Sequence, residues 1–254
     1  MKITVLGSGT SNGVPMIGCH CEVCQSQNPK DKRLRSSVYV EHKGKKILID
    51  ISPDFRQQFL SNGLDDIDAL LLTHSHYDHI GGLDDIRTIN WFQKKPIPIY
   101  ASNDSISALK HTFPYMFTEP LQKGGGLPLI NCIPINSEPF LIDGVEIIPL
   151  PIKHGILDIF GFRIDNFAYI TDASYISDDT INLLQDLDVL FLNALRPTPH
   201  STHLNIETAV SYAKIIKAKE TYFTHISHGI MHDEVQNNLP LNVNLAYDGI
   251  IIEC

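Results

Sequence analysis

The sequence predicts an α/β sandwich built from short apolar strands and a smaller number of helices. In the first half of the chain, strand-like segments follow one another with few helices between them, and later they alternate with helices. The most regular helical pattern spans residues 206–217, where apolar side chains recur at helical spacing and Asn205 is placed to cap the first turn. This order favours a sandwich over an open, doubly wound sheet.

The individual elements are assigned from their apolar runs and their boundaries. The predicted strands are 3–6, 38–41, 46–50, 69–72, 97–101, 146–150, 160–164, 168–171, 189–192, 221–224 and 250–253. The predicted helices are 53–60, with Pro53 in the first turn, 102–110, 178–184 and 206–217. The glycine-rich stretch 123–128 is interpreted as a loop between two halves of one domain.

Composition excludes several classes of protein. A chain of 254 residues can bury a full core, and 43% hydrophobic with 19% charged residues is ordinary for a globular domain. No apolar run is long enough to cross a bilayer, and the first residues lack the pattern of a secretory signal, so a cytoplasmic protein is expected. A net charge of −9 argues against nucleic acid as a partner.

The densest group of metal-ligating residues lies directly after the apolar run 69–72. Here three imidazoles and one carboxylate fall within six residues, at His74, His76, Asp78 and His79. Imidazole and carboxylate together suit zinc, manganese or iron, and two ligand pairs in one loop suggest two adjacent metals. The following Gly81-Gly82 pair is expected to let the chain turn into a helix.

The H-x-H-x-D-H motif followed by Gly-Gly resembles the metallo-β-lactamase superfamily. That resemblance implies a four-layer αββα sandwich with the metal site at the sheet edges, but it specifies no reaction, because thioesterases, phosphodiesterases and nucleases share the motif. Three further candidates, His154, Asp172 and His225, each follow an apolar strand, as the family's ligands do. The resemblance implies two ligand sets: His74, His76 and His154 for one metal, Asp78, His79 and His225 for the other, and Asp172 bridging both. Asp50, at another strand end, is expected to orient a ligand imidazole.

A second cluster, C-x-C-x-x-C, contains Cys19, Cys21 and Cys24. A structural zinc takes four ligands, and His228 is the expected fourth, because it lies three residues after His225. A redox pair or three buried thiols are the other interpretations of these cysteines. We therefore expect one domain over residues 1–254, with a small zinc-binding insertion at about 13–32. Cys132 and Cys254 have no such neighbours in the sequence and are taken as ordinary.

The two clusters together resemble one branch of the superfamily, the PhnP-type phosphodiesterases. The resemblance runs through the whole chain and implies hydrolysis of a small cyclic or alkyl phosphodiester, such as a phosphoribosyl cyclic phosphate, with two Mn²⁺ or Zn²⁺ ions and one structural zinc. The alternatives are a non-catalytic carrier of the PqqB type and a transfer-RNA 3′-processing nuclease, although the chain has no Lys/Arg-rich insertion to hold RNA. A thioesterase of the glyoxalase II type is a more distant competitor. A homodimer is implied by the resemblance alone.

The catalytic residues expected from the resemblance are His203, Asp78 and Asp172. His203 is outside both ligand sets, precedes the most regular helix and resembles the family's proton-donating histidine. His200 lies three residues away and is the alternative general acid, while Arg196 is a weaker candidate for a phosphate contact.

Overall fold

Two seven-stranded β-sheets pack face to face in the computed structural model, which describes residues 1–118 and 126–254. The first sheet contains β1 (Lys2–Gly7), β2 (Ser37–His42), β3 (Lys45–Ile49), β4 (Ala69–Leu71), β5 (Ile97–Ala101), β6 (Ile130–Pro134) and β14 (Ile251–Glu253). The second contains β7 (Phe140–Ile142), β8 (Val145–His154), β9 (Leu157–Ile164), β10 (Phe167–Ile170), β11 (Val189–Asn193), β12 (Glu220–Thr224) and β13 (Val243–Leu245). The strand orders are β14-β1-β2-β3-β4-β5-β6 and β13-β12-β11-β10-β9-β8-β7.

Helices cover the outer face of each sheet, which confirms the predicted four-layer sandwich. The helices are α1 (Glu22–Gln25), α2 (Phe55–Ser61), α3 (Tyr77–Ile80), α4 (Ile86–Gln93), α5 (Asn103–Thr112), α6 (Asp178–Asn182), α7 (Ile206–Ile216) and α8 (His232–Gln236). A central apolar layer lies between the sheets, where Ile49 and Leu71 of the first sheet join Phe162 and Phe191 of the second. Separate apolar clusters lie under α2, α4 and α5 on one side and under α6 and α7 on the other. Burial on both faces explains why the central strands are almost wholly apolar.

Several elements differ from the sequence-based predictions. Among the described residues, the first half has five helices, α1 to α5, and the second half has three, α6 to α8, so the expectation of few helices in the first half was wrong. Helices α1, α3 and α4 were too short or too irregular to be assigned bounds from the sequence. Strands β6, β7 and β13 were missed, since two of them have only three residues. Of the loop predicted at 123–128, residues 123–125 lie outside the described part of the chain. Within the described ranges, no helix combines the length and the apolar character needed to cross a membrane.

Strand β8 is longer than predicted and ends on a candidate ligand. The prediction stopped at residue 150, whereas the strand continues through Pro151 to His154. Strand β7 pairs only with residues 145–147 of β8. Residues 148–154 of β8 pair with β9 on one side and have no β7 neighbour on the other. A proline is tolerated on such an edge because no neighbouring strand requires its missing N–H. His154 is therefore held inside the sheet rather than after it.

The direction of the strands brings the candidate site together. Strands β3, β4 and β5 run parallel, and so do β10, β11 and β12. Their carboxyl ends carry Asp50, His74, Asp172 and His225. Because parallel strands end at the same edge of a sheet, each sheet presents its polar residues along one edge.

We predict that Asn205→Ala lowers the free energy of unfolding by about 1–2 kcal/mol, the usual effect of losing an N-cap. The Asn205 carboxamide oxygen accepts the Thr208 N–H at 3.1 Å, and its amide donates to Pro197 O at 3.1 Å. Urea unfolding followed by circular dichroism measures the change. Lys214→Ala, on the exposed side of the same helix, is the control, and equal effects of the two substitutions would contradict the capping role.

Candidate metal centre

Seven candidate ligands predicted from the sequence converge between the two sheet edges. The donor atoms of His74, His76 and His154 lie within 4.8 Å of one another. The same holds for Asp78, His79 and His225, and also for His74, His79 and Asp172. The grouping of the side chains matches the two predicted ligand sets, with Asp172 between them.

Three residues of this centre adopt left-handed backbone conformations within two residues of a strand end. The φ angles are 61° at Asp50, 58° at Asp172 and 56° at His225. Non-glycine residues rarely adopt such angles, and they persist where surrounding contacts over-determine them. The sharp change of direction ends each strand at the centre.

Asp50 orients two imidazoles from a fully buried position. Its carboxylate accepts the Thr73 N–H at 2.9 Å, the Thr73 hydroxyl at 2.8 Å and the His79 Nδ1–H at 2.7 Å. The Thr73 hydroxyl oxygen in turn accepts Nδ1–H of His74 at 3.0 Å. An imidazole that donates from Nδ1 has its lone pair on Nε2, so both rings are prepared to ligate through Nε2.

The second sheet uses the same arrangement. The Thr171 hydroxyl donates to Asp172 Oδ2 at 2.7 Å and accepts from His225 Nδ1 at 3.3 Å. Nδ1 of His154 donates to the Thr202 carbonyl at 2.8 Å. Nε2 therefore remains available for coordination in His154 and His225.

The charges of the centre fit divalent cations. Asp50, Asp78 and Asp172 bring three carboxylates into a largely buried volume, and Nε2 of His74 is buried without a hydrogen-bond partner among the described residues. Burial opposes a charge on His79, but Asp78, Asp50 and Asp172 outweigh it and hold its pKa well above the usual value. Burial lowers the pKa of His225 to about 4. The carboxylates around His79 thus favour a positive charge in this buried volume, and a divalent cation bound by the rings would replace the extra proton of His79.

The Gly81-Gly82 pair lies in the turn that leads from α3 toward α4, as the sequence predicted, and it also permits close packing. Neither glycine has a positive φ. A Cβ on Gly82 would lie 2.3 Å from the carbonyl oxygen of Ser52, and one on Gly81 would lie 2.9 Å from that of Tyr77. The pair lets the segment after α3 lie directly against the loop that follows Asp50.

His203 borders the centre without belonging to either predicted ligand set. Its Nε2 lies 2.8 Å from Asp172 Oδ1, and its ring stacks on His225 at a centroid distance of 5.2 Å. It lines a cavity of about 460 Å³ together with Ile156 and Leu157 of the β8–β9 hairpin. His200 lies one step further out, with Nδ1 at 3.3 Å from Nδ1 of His203. His203 is thus the nearer of the two candidate acids.

The cysteine cluster is a separate centre. The sulfur atoms of Cys19, Cys21 and Cys24 and a ring nitrogen of His228 lie within 4.8 Å of one another. Hydrogen bonds from the Cys24 backbone and from His228 lower the pKa of Cys21 to about 6, while burial raises the pKa of Cys24 to about 11. Three thiols and one imidazole are a complete tetrahedral set for zinc, so these residues fit a structural ion.

Sequence reasoning predicted Asp50 but missed the other residues that position the ligands. Thr73 and Thr171 each immediately precede a candidate ligand, and that repeated pattern is a signal the sequence does contain. Thr202 and Asn193 have no such signal. Asn193 accepts the Ala173 N–H at 2.7 Å and donates to the Ala173 carbonyl at 3.0 Å, which fixes the chain just beyond Asp172.

Comparison with known proteins identifies the family. A model of the β-lactamase superfamily domain matches residues 45–226. A crystal structure described as a new diphosphatase from the PhnP family aligns with a TM-score of 0.93 and 44% identity, covering 100% of this chain and 97% of the other. The chain belongs to the PhnP family of the β-lactamase superfamily. The chain has the metallo-β-lactamase fold, and that fold implies divalent metal binding.

More distant relatives share the fold. Zn²⁺-bound PqqB from Methylobacterium extorquens has a TM-score of 0.81 at 19% identity, covering all of both chains. The short form of human tRNase Z has a TM-score of 0.73 at 21% identity, covering 100% of this chain and 99% of the other. Identities this low establish the fold alone.

One curated relative is named after a reaction other than phosphate ester hydrolysis. An octanoyltransferase from Porphyromonas gingivalis (strain ATCC BAA-308 / W83) is 40% identical over 254 residues, covering 98% of this chain and 51% of the relative. Coenzyme PQQ synthesis protein B from Methylorubrum extorquens (strain PA1) is 34% identical over 116 residues, covering 40% of this chain and 37% of the relative. The chain thus spans about half, or less, of the length of these curated relatives.

We predict that Asp50→Asn weakens metal binding at the dinuclear centre by about 10- to 100-fold, the usual effect of losing a residue that orients a ligand imidazole. The amide nitrogen of asparagine cannot accept the proton of His79 Nδ1. Competition with a chromophoric chelator measures the affinity. Asp68→Asn, which changes a carboxylate paired with Lys95, is the control, and equal affinities in both variants would overturn the assignment.

We predict that Cys21→Ser lowers the zinc content by one ion per chain and also lowers the melting temperature. The reason is that a closed structural zinc site contributes directly to folding free energy. Elemental analysis and differential scanning calorimetry supply the two measurements. Cys132→Ser, which removes a thiol far along the sequence from the cluster, is the control. A Cys21→Ser protein with full zinc and normal melting would show that the cluster is not structural.

Proposed function

We propose that this PhnP-family protein is a metal-dependent phosphodiesterase that hydrolyses a small cyclic or alkyl phosphodiester of the phosphoribosyl cyclic phosphate type. The observation that carries the proposal is the position of His203. This imidazole lies at the edge of a seven-residue ligand set, within hydrogen-bond distance of Asp172 and against a cavity open to solvent. Such a site combines a place for a phosphoryl group with a proton donor for its leaving group.

The ligand sets support two divalent ions, Mn²⁺ or Zn²⁺. His74, His76 and His154 would hold one ion, and Asp78, His79 and His225 the other, with Asp172 shared between them. When bound, such a pair supplies an activated water and compensates charge on the phosphoryl oxygens. The side chains fix this arrangement in advance, because Asp50, Thr73 and Thr171 hold the imidazoles through Nδ1.

His203 is proposed as the general acid. Asp172 accepts from its Nε2, so the proton is held on the ring atom that faces the centre. Thr202 places its hydroxyl 2.9 Å from Nδ1 and steadies the other side of the ring. An alkoxide leaving group needs this proton, whereas a phenolate with a low pKa does not.

The size of the cavity favours a small substrate. About 460 Å³ accommodates a sugar phosphate or a similar molecule, and the hairpin residues Ile156 and Leu157 form an apolar wall beside the metal ligands. The formal charge of −9 gives no broad attraction for RNA, which weighs against a tRNase Z-like role. A carrier of the PqqB type would need neither His203 nor a complete ligand set.

A second candidate reaction is hydrolysis of a phosphoanhydride. The PhnP-family relative with 44% identity is described as a diphosphatase, and the same metal pair and proton donor serve both reactions. A panel that contains cyclic and alkyl phosphodiesters beside dinucleoside and sugar diphosphates separates the two. The name octanoyltransferase belongs to a relative about twice as long and supports no proposal for this chain.

We predict that His203→Ala slows hydrolysis of alkyl phosphodiesters by about 10²- to 10⁴-fold, the usual contribution of a general acid, while both metals remain bound. The loss is expected to be much smaller for 4-nitrophenyl esters, whose leaving group departs without a proton. Values of kcat/KM on both ester types and metal content by elemental analysis provide the measurements.

His111→Ala, which changes an exposed histidine of α5, is the matched control for this test. Equal losses on both ester types would indicate positioning of the substrate instead of proton donation. No loss on either type would transfer the role to His200 or to water. Absence of turnover in the metal-loaded wild-type protein across the whole panel would favour the PqqB-like carrier.

A further inference from the structure

Thr202 lies between three histidines of the candidate site and contacts each of them with a different polar group. Its carbonyl oxygen lies 2.8 Å from Nδ1 of His154, its backbone nitrogen 3.3 Å from Nδ1 of His200, and its hydroxyl 2.9 Å from Nδ1 of His203. One residue thus contacts a candidate metal ligand, the candidate general acid and the histidine beside that acid.

The two backbone groups of Thr202 give their histidines opposite tautomers. A carbonyl oxygen can only accept a hydrogen bond, so Nδ1 of His154 carries the proton and Nε2 keeps its lone pair. A backbone N–H can only donate, so Nδ1 of His200 is the acceptor and the proton of the neutral ring lies on Nε2. His154 is thereby prepared to bind a cation, whereas His200 keeps a proton on the corresponding nitrogen atom.

His203 is oriented by Asp172 and Thr202 together. Oδ1 of the Asp172 carboxylate can only accept, so Nε2 of His203 carries a proton and Nδ1 of the neutral ring has a lone pair. The Thr202 hydroxyl donates to that lone pair at 2.9 Å. It lies farther from Nδ1 of His200, at 3.2 Å, where the backbone N–H already donates. The hydroxyl therefore serves His203.

Thr202 is itself packed against the hairpin between β8 and β9. Gly155 follows His154 in this hairpin, and a Cβ on it would lie 2.9 Å from Cγ2 of Thr202. The φ angle of 60° at Gly155 also favours glycine. The Gly155 N–H donates to Oγ of Ser174 at 2.9 Å, which ties the hairpin to the segment after Asp172. Contacts on the hairpin side thus hold Thr202 where its carbonyl meets His154.

We propose that Thr202 is the shared positioning residue of the site. Its backbone sets the tautomers of His154 and His200, and its hydroxyl orients His203, so the general acid is aligned directly with a metal ligand. The two roles are separable, because a substitution of the side chain leaves the carbonyl and the N–H in place. This inference rests on the proposed function for the reaction and adds a residue that acts through His203.

The kinetic test compares Thr202→Val with Thr202→Ser in the metal-loaded protein, on an alkyl phosphodiester and on a 4-nitrophenyl ester. Valine removes the hydroxyl and keeps the shape, so kcat on the alkyl ester is expected to fall about 3- to 10-fold with KM unchanged, the range of one neutral hydrogen bond. The loss on the 4-nitrophenyl ester is expected to stay below about 2-fold, because its leaving group needs no proton. Thr202→Ser keeps the activity, and Thr198→Val, the same substitution at an exposed position of the same loop, is the control.

Nitrogen-15 NMR of the imidazole rings in the zinc-loaded protein gives a measurement that does not depend on turnover. Thr202→Val is expected to shift Nδ1 of His203 toward the value of a ring nitrogen without a hydrogen bond, and to leave His154 and His200 unchanged. Gly155→Ala, whose new methyl group presses on Thr202, is expected to shift His154 and His203 together.

An unchanged His203 resonance in Thr202→Val overturns the role of the hydroxyl, and so do equal kinetic losses on both esters. Shifts of all three histidines in Thr202→Val overturn it as well, because they would show that the side chain only packs the loop. A shift of His203 without His154 in Gly155→Ala overturns the shared role. The expected resonance shifts without turnover of either ester by the wild-type protein leave the positioning role standing and count only against the proposed function.

Discussion

The buried carboxylate of Asp50 is the constraint on which the metal centre depends. A lone carboxylate in the interior is costly unless its oxygen atoms are hydrogen-bonded, and burial raises the pKa of Asp50 accordingly. The backbone and hydroxyl of Thr73 and the imidazole of His79 meet that requirement. The end of β4 and the turn of α3 are thereby tied to the end of β3. Hydrogen bonds between the protein's own residues thus hold the ligand geometry on the first sheet.

The second sheet completes the centre through a similar chain of contacts, and the interior packing sets the distance between the two halves. Asp172, Thr171 and His225 lie at the ends of β10 and β12. The apolar layer that contains Phe162 and Phe191 separates the sheets. Substitutions in that layer therefore act on metal geometry as well as on stability, because closely packed interiors transmit small displacements.

The two candidate metal centres are connected through the backbone. His225 and His228 are three residues apart, and each faces a different cluster. Ile226, between them, exchanges backbone hydrogen bonds with the turn after β1, from Thr10 N–H to Ile226 O and from Ile226 N–H to Ser8 O. The cysteine cluster and the turn after β1 thus share one backbone framework. An ion held by the cysteine cluster would therefore also order the turn after β1.

Local sequence information was sufficient for the strongest features. The ligand motif at 74–79, the cysteine cluster and the α7 cap at Asn205 all depend on residues close together in the chain, so spacing reveals them. The short strands β7 and β13 escaped, because three residues have no recognisable period and gain their stability from neighbouring strands. The predicted strand β8 ended too early for a different reason. Pro151 is tolerated because it lies on a sheet edge, and the sequence does not show which strands lie at an edge.

By itself the sequence determined the fold class, the family and the identity of the candidate ligands, since each of these is written in residue type and spacing. The tertiary structure decided which nitrogen of each imidazole is free, that the absence of a Cβ at Gly82 permits contact with Ser52, and that His203 lies nearer the centre than His200. It alone revealed that Thr202 contacts three histidines. Most of these features arise from contacts between residues more than twenty positions apart, and such contacts leave no periodic trace in a single chain.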